Sequence, residues 1–199
     1  MNITYRQLSA NEAERIKELA PSDFIQRAWR SVNGVKQWVE INWKEDDFPD
    51  GYEHHLAALK ATFEGEGYAL GAFDGERLIG FCSINREIFG SRYKYVLLDQ
   101  LFIAPDYKRK GIGKKLFMMC ADIAKSWGAN KYYISAGSSE ATLAFYISLG
   151  CEHAMEINPA MNDPESVNDI VLEYNLNNMP PHIKADSLYI TKFLEATHT

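Results

Sequence analysis

One turn constrains this chain more than any other feature. A run with the character of a strand, Val96 to Ala104, passes through Tyr107-Lys108-Arg109-Lys110-Gly111-Ile112-Gly113-Lys114-Lys115 into a run with helical spacing, Ile112 to Trp127. A strand that turns through glycines into a helix leaves backbone N–H groups unpaired at the positive end of the helix dipole. Such a place takes phosphate. The chain carries 27 acidic residues against 21 basic ones, and five of the basic ones crowd into this turn. The positive island is local and asks for a local cause.

Three phosphate-binding patterns compete for it. A P-loop needs G-x-x-x-x-G-K-[ST]; Lys108 and Arg109 stand where its first glycine should be, and Lys115 follows Lys114. A dinucleotide fingerprint needs a third glycine and an early place in the chain, but position 116 is Leu and the turn lies past the middle. The third pattern is [QR]-x-x-G-x-[GA] after a strand ending in hydrophobic-x-Pro. Ile103-Ala104-Pro105 followed by Lys108 to Gly113 fits it, with Lys108 in place of Arg or Gln. This segment resembles the coenzyme A pyrophosphate loop of the GNAT superfamily of N-acetyltransferases. Ser139-Glu140-Ala141-Thr142-Leu143-Ala144-Phe145-Tyr146-Ile147-Ser148-Leu149-Gly150-Cys151 resembles the family's later motif, N-x-x-A-x-x-F-Y-x-x-x-G-F. Phe145, Tyr146, Leu149 and Gly150 match; Ser139, Thr142 and Cys151 depart from it. The resemblance covers roughly residues 94 to 157, the segment expected to form the coenzyme A-binding core.

The resemblance implies acetyl transfer from acetyl-CoA to a primary amine. It implies that the amides of Arg109, Lys110, Gly111, Ile112, Gly113 and Lys114 cradle the pyrophosphate, with Lys108 opening the loop. The pantetheine arm is expected along Leu101, Phe102 and Ile103, an N–H near Ile103 polarising the thioester carbonyl. Ser139 stands where the family's Asn meets the arm; its other reading is a helix cap. Tyr146 is the implied acid for the departing thiolate, since a phenol holds its proton at neutral pH; the competing reading is a core tyrosine beside Phe145. The same fold without turnover, an acyl-CoA-binding or regulatory module, is the alternative function.

The general base is read from the residues themselves. Asp99 alternates with Leu97, Leu101 and Ile103, so a carboxylate is expected on one face of an apolar strand, where it needs a partner or a wet cleft. Glu87 is a second candidate; His54 and His55 fall on a helix read as exposed, and His153 is undecided between cleft and solvent. The aromatics Trp29, Trp38, Trp43, Phe48 and Tyr52 either line an amine pocket or pack.

The chain's 199 residues suffice for one domain. Its fold is read as α/β (α+β), a mixed and mostly antiparallel sheet of about 6–7 strands flanked by helices. The family implies two central parallel strands splayed apart. The domain is expected over 1–176, with 177–199 as an extension carrying a short helix that packs on its own domain or on a second copy, as a homodimer would require. Helices are expected from Ser9 or Asn11 to Leu19, from Phe24 to Arg30, from Glu53 to Glu64, over Ile112 to Trp127 and over Ser139 to Leu149. Gly67–Phe73 and Leu78–Asn85 form a hairpin about Asp74-Gly75, while Val35–Trp43 is either a strand or a loop edge. Tyr93–Ile103, Lys131–Ala136, Cys151–Ile157 and Asp169–Leu176 complete the strands, with breaks at Pro159, Pro164 and Pro180-Pro181. No apolar run reaches bilayer length, and the first residues lack a signal-peptide core. Three scattered cysteines, Cys82, Cys120 and Cys151, make neither a disulfide framework nor a metal pattern. A reducing cytoplasm, no metal, no nucleic-acid partner and no membrane are the expectations.

Overall fold

This computed structural model describes residues 2–161, 168–178 and 187–196. Pro164 and Pro180-Pro181 lie outside them. The chain opens with β1 (Ile3–Gln7) and a 3-10 helix, Ala10–Leu19. Ser9 caps that helix, its N–H donating to Glu12 Oε2 at 3.2 Å. The buried residues Ala13, Ile16 and Leu19 are three apart. That is the period of a 3-10 turn, so the stripe selects the tighter helix. Ala20 ends it in the left-handed region (φ 41°) and stays exposed.

The expected helix over Phe24 to Arg30 is a strand. β2 (Asp23–Val32) pairs antiparallel with β3 (Val35–Glu45), Val32 opposite Val35. Asn33 (φ 52°) and Gly34 (φ 81°) are the two turn residues. Both need positive φ, the requirement of the type I′ hairpin that Asn-Gly satisfies best. The dipeptide closes a hairpin rather than a helix, and the open choice over Val35–Trp43 resolves to a strand. α1 (Tyr52–Glu64) follows, then β4 (Tyr68–Asp74) and β5 (Arg77–Phe89) about Gly75.

The remaining elements are β6 (Tyr95–Ile103), α2 (Ile112–Ser126), β7 (Lys131–Ala136), α3 (Glu140–Ser148), β8 (Glu152–His153), β9 (Ile170–Asn175) and α4 (Ser187–Glu195). β8 is far shorter than the expected Cys151–Ile157. The chain leaves the sheet because Met155 N–H donates to Glu173 Oε2. Glu156 then turns away to accept from the N–H groups of Ser91, Arg92 and Tyr93 at 2.7–2.9 Å.

Seven strands make one sheet in the order β1-β4-β5-β6-β7-β9-β8, antiparallel except for β6 with β7. Those two pair only over Tyr95–Lys131, Val96–Tyr132 and Leu97–Tyr133. β6 continues to Ile103 and β7 to Ala136 without further pairing to each other, so the strands diverge into an open V. One sheet face packs on α2 through Leu98, Leu116, Phe117 and Cys120. The other packs on the 3-10 helix and α1 through Leu8, Ile16, Leu59 and Phe81. α3 is apolar on two sides because it is sandwiched. Tyr146 and Leu149 meet the main core, while Leu143 and Ile147 meet Trp29 of β2 and Ile190 and Leu194 of α4. The C-terminal helix therefore packs on its own domain. All three cysteines are buried and unpaired. Among the described residues no helix is long and apolar enough to cross a membrane.

Candidate active site

The bend after β6 is built for an anion. Lys108 N–H is taken by Pro105 O, and Lys115 N–H by Gly111 O. Between them, none of the amides from Arg109 to Lys114 donates to a described residue. Arg109 (φ 60°) and Gly111 (φ 80°) both lie in the left-handed region. Left-handed residues set among ordinary ones turn successive N–H groups to one side, making a concave nest at the start of α2. Arg109 bears this conformation without being glycine, a strain of the kind found at functional turns.

The two glycines do different work. A Cβ on Gly111 would meet nothing within 4 Å, so glycine is there for its φ. A Cβ on Gly113 would stand 3.2 Å from the Phe145 ring, so glycine is there to let α2 and α3 approach. The cations also divide. Lys108 Nζ is 3.1 Å from Asp23 Oδ2 at the start of β2, and Lys110 Nζ caps Asp106 O at 2.6 Å. Lys115 lies 4.2 Å over the Tyr5 ring. Arg109 and Lys114 are exposed, with no ion pair among the described residues. With its amide and its ammonium both engaged, Lys108 opens the loop without facing into it.

The V supplies a slot leading to the bend. Ala104 N–H donates to Ile79 O on β5 at 2.9 Å, which fixes the phase of the strand. By antiparallel alternation Phe102 turns its polar backbone to β5, while Leu101 and Ile103 turn theirs toward the gap left by β7. Phe102 differs in its side chain too, which joins the α1 face 4.8 Å from the His55 ring. Tyr146 is 8% exposed and belongs to the core beside Phe117 and Phe145. Its hydroxyl bonds to no described residue, yet no buried polar side-chain atom there lacks a partner. The hydroxyl therefore keeps some of the residue's small exposure. Burial, with Cys82 and Cys151 nearby, pushes its pKa up, so it stays protonated. Ser139 caps α3, its Oγ accepting from Thr142 N–H at 3.2 Å.

Asp99 is not on the face expected of it. Ser83 pairs with Gln100 but Ile84 with Leu98, so Asp99 is the extra residue of a β-bulge. The bulge breaks the alternation. Leu98, Leu101 and Ile103 pack with the α2 core, whereas Asp99 and Gln100 both turn toward α1. Asp99 Oδ2 lies 3.3 Å from the hydroxyls of Thr62 and Ser83, and 3.2 Å from Gln100 Nε2. Burial raises its pKa, and these hydrogen bonds hold the rise in check. His55, read as exposed, is half-buried between Phe48 and Phe102. His153 stacks on Phe193 of α4 at 4.4 Å, and Glu87 is exposed on β5. Of the aromatics, Trp29 and Phe48 are core residues; only Trp43, 57% exposed, faces solvent broadly.

β2 spans the two motifs, a placement that no spacing or motif in the chain announces. Lys108 pairs with Asp23, and Arg27 forks onto Glu140 with two contacts of 2.6 Å. Trp29 N–H donates to Ser138 O. Beneath this strap lies a cavity of about 420 Å³ lined by Phe24, Ile25, Gln26, Ser139, Ala141 and Ile190. The Asp99-Gln100 pair had a readable signal, since two adjacent polar residues inside an apolar strand mark a bulge.

The model of the acetyltransferase (GNAT) family matches residues 35–151, more than half of the chain. The chain belongs to this family. No curated protein matches it in sequence. Among solved structures, nourseothricin acetyltransferase superposes with a TM-score of 0.65 at 14% identity, over 88% of this chain and 99% of that one. The PaiA N-acetyltransferase of Thermoplasma acidophilum, solved with coenzyme A, gives 0.55 at 19% over 88% and 99%. The ribosomal-protein-S18-alanine N-acetyltransferase of Escherichia coli gives 0.55 at 16% over 92% and 99%. At these identities the likeness is one of fold. Nourseothricin and the alanine of a ribosomal protein stand in those names as acceptors, so a shared fold leaves the acceptor of this GNAT chain open.

Proposed function

We propose that this chain moves the acetyl group of acetyl-CoA to a primary amine by direct attack within a ternary complex. The observation that carries the reading is the row of unpaired amides from Arg109 to Lys114 beside the open V. The pyrophosphate sits in that row, and Arg109 and Lys114 add charge. The pantetheine arm runs up the slot against the polar backbone of Leu101 and Ile103. Ile103 N–H meets the carbonyl oxygen as negative charge grows there.

Asp99 takes a proton from the ammonium form of the acceptor through water. The free amine then attacks the carbonyl carbon, a C–N bond forms, and the C–S bond breaks. The thiolate takes its proton from Tyr146 Oη. No covalent enzyme intermediate is needed, because both substrates are held together. Ser139 acts as the cap of α3, fixing the helix that carries Tyr146. The acceptor is a small molecule or a peptide amine. The reducing conditions that suit three free thiols are those of the cytoplasm.

Calorimetry with coenzyme A, followed by acetyl-CoA turnover with a panel of amines, tests the reading. Tyr146→Phe is expected to bind coenzyme A normally and to lose about a hundredfold in kcat. An unchanged kcat removes the acid from Tyr146. Coenzyme A binding without turnover on any amine leaves a binding module of the same fold.

A further inference from the structure

The polar cluster around Asp99 holds one more group than a base requires. Gln100 is 4% exposed, and its Nε2 lies 3.2 Å from Asp99 Oδ2 and 3.2 Å from the carbonyl of His55. A carboxylate and a carbonyl both accept, so the nitrogen of the Gln100 amide belongs on that side. Its Oε1 then faces His55 Nδ1 at 3.0 Å, while His55 Nε2 faces Pro49 O at 2.7 Å. Both ring nitrogens look at acceptors. A neutral imidazole has one N–H and can satisfy only one of them.

We propose that His55 is a positioning residue for Asp99: of its two tautomers it keeps the one whose Nδ1–H donates to Gln100 Oε1, which holds the Gln100 amide with its N–H groups on Asp99. Two fixed partners, Gln100 and His55 behind it, then keep a donor aimed at the carboxylate form of Asp99, the form that a base must have. The other tautomer turns the bare Nδ1 on Gln100 Oε1 and favours the turned-over amide. That sets its oxygen against the His55 carbonyl, acceptor against acceptor. Few charges face the ring from its surroundings. β6 offers Asp99 through Gln100, α1 offers His54 with ring centroids 5.2 Å apart, and the chain before α1 offers Phe48 and the Pro49 carbonyl. Among the described residues no carboxylate forms an ion pair with His55. The inference rests on the proposed role of Asp99 as base.

The test starts on the wild-type protein with 15N-labelled histidine. The proton of His55 is expected on Nδ1, and Gln100→Leu is expected to let it move to Nε2. A bare Nδ1 on wild-type His55 overturns the proposal, and this reading needs no variant to fold. His55→Gln is expected to lower kcat about tenfold, with KM for acetyl-CoA unchanged. A histidine that only ties down the preceding loop would move the melting temperature and leave kcat alone, which also overturns it. Asp99→Asn separates the two readings. If it is inactive while His55→Gln is fully active, only the positioning role falls; if it is fully active, the base falls first and the positioning role with it.

Discussion

The two glycines of the bend allow a direct comparison between backbone strain and packing. Gly111→Ala puts a Cβ into open space but holds alanine at φ 80°, a strain of about 1 kcal/mol. Gly113→Ala keeps an ordinary backbone but drives a Cβ to 3.2 Å from Phe145. Overpacking of that kind costs about 1–3 kcal/mol. Chemical denaturation is expected to show Gly113→Ala as the less stable variant. Phe145→Leu should recover part of its loss while leaving the cost of Gly111→Ala unchanged, because only the first pair is in contact. As the proposed base, Asp99 poses the opposite case, a residue that activity would need and stability would not. Its pKa is raised by burial, so its contribution to stability is full below the unfolded value and falls as pH rises through the folded one. At neutral pH the ionised group is a burden. Asp99→Asn should melt no lower than wild type near pH 7 and lose about 10²–10⁴ in kcat. A marked fall in melting temperature would show that the carboxylate holds the bulge together.

At the scale of elements, the motif-bearing segment was legible and the hairpin of β2 and β3 was not, for a physical reason. β6, α2 and β7 each bury a clear apolar pattern against one continuous core, so periodicity reports them, and α3 is reported by its motif. β2 and β3 form their own two-stranded sheet, and Phe24 and Val35, 61% and 63% exposed, blur the inside–outside alternation. The signal that survives there is the turn chemistry of Asn33-Gly34. Trp29 anchors this hairpin. It is 5% exposed, stacks edge-on to Trp38 at 5.3 Å, and packs on Leu143, Ile147, Ile190 and Leu194. Trp29→Ala should cost about 3–5 kcal/mol locally. Since the same cluster seats α4, hydrogen exchange should speed up in α4 and the hairpin together, while β4 and β5 keep their protection. Loss confined to the hairpin would show that α4 is held by other contacts.

Across the whole molecule, the V needs a closed end as much as an open one. The bend and the slot were readable as motif and resemblance; the clamp that closes the V was not, because its members are far apart in sequence. Lys131 pairs with Tyr95 at the start of the parallel strands and with Asn175 on β9. Its ammonium forms an ion pair with Glu173, sits 3.6 Å over the Tyr93 ring, and shares the carboxylate with Tyr95 Oη at 2.5 Å. Glu173 also accepts from Met155 N–H. One buried carboxylate thus joins β6, β7, β9 and the segment after β8. The desolvation of such a pair offsets much of its attraction, whereas removing one partner strands a charge. Lys131→Met should therefore lose about 3–5 kcal/mol. Adding Glu173→Leu should return only part of it, since Tyr95 and Met155 then lose their acceptor. If Lys131→Met proved as stable as wild type in urea, the clamp would have no part in setting where β6 and β7 part company. If it were destabilised but bound coenzyme A with unchanged affinity, the closed end would serve folding alone, leaving the bend and the slot to define the site.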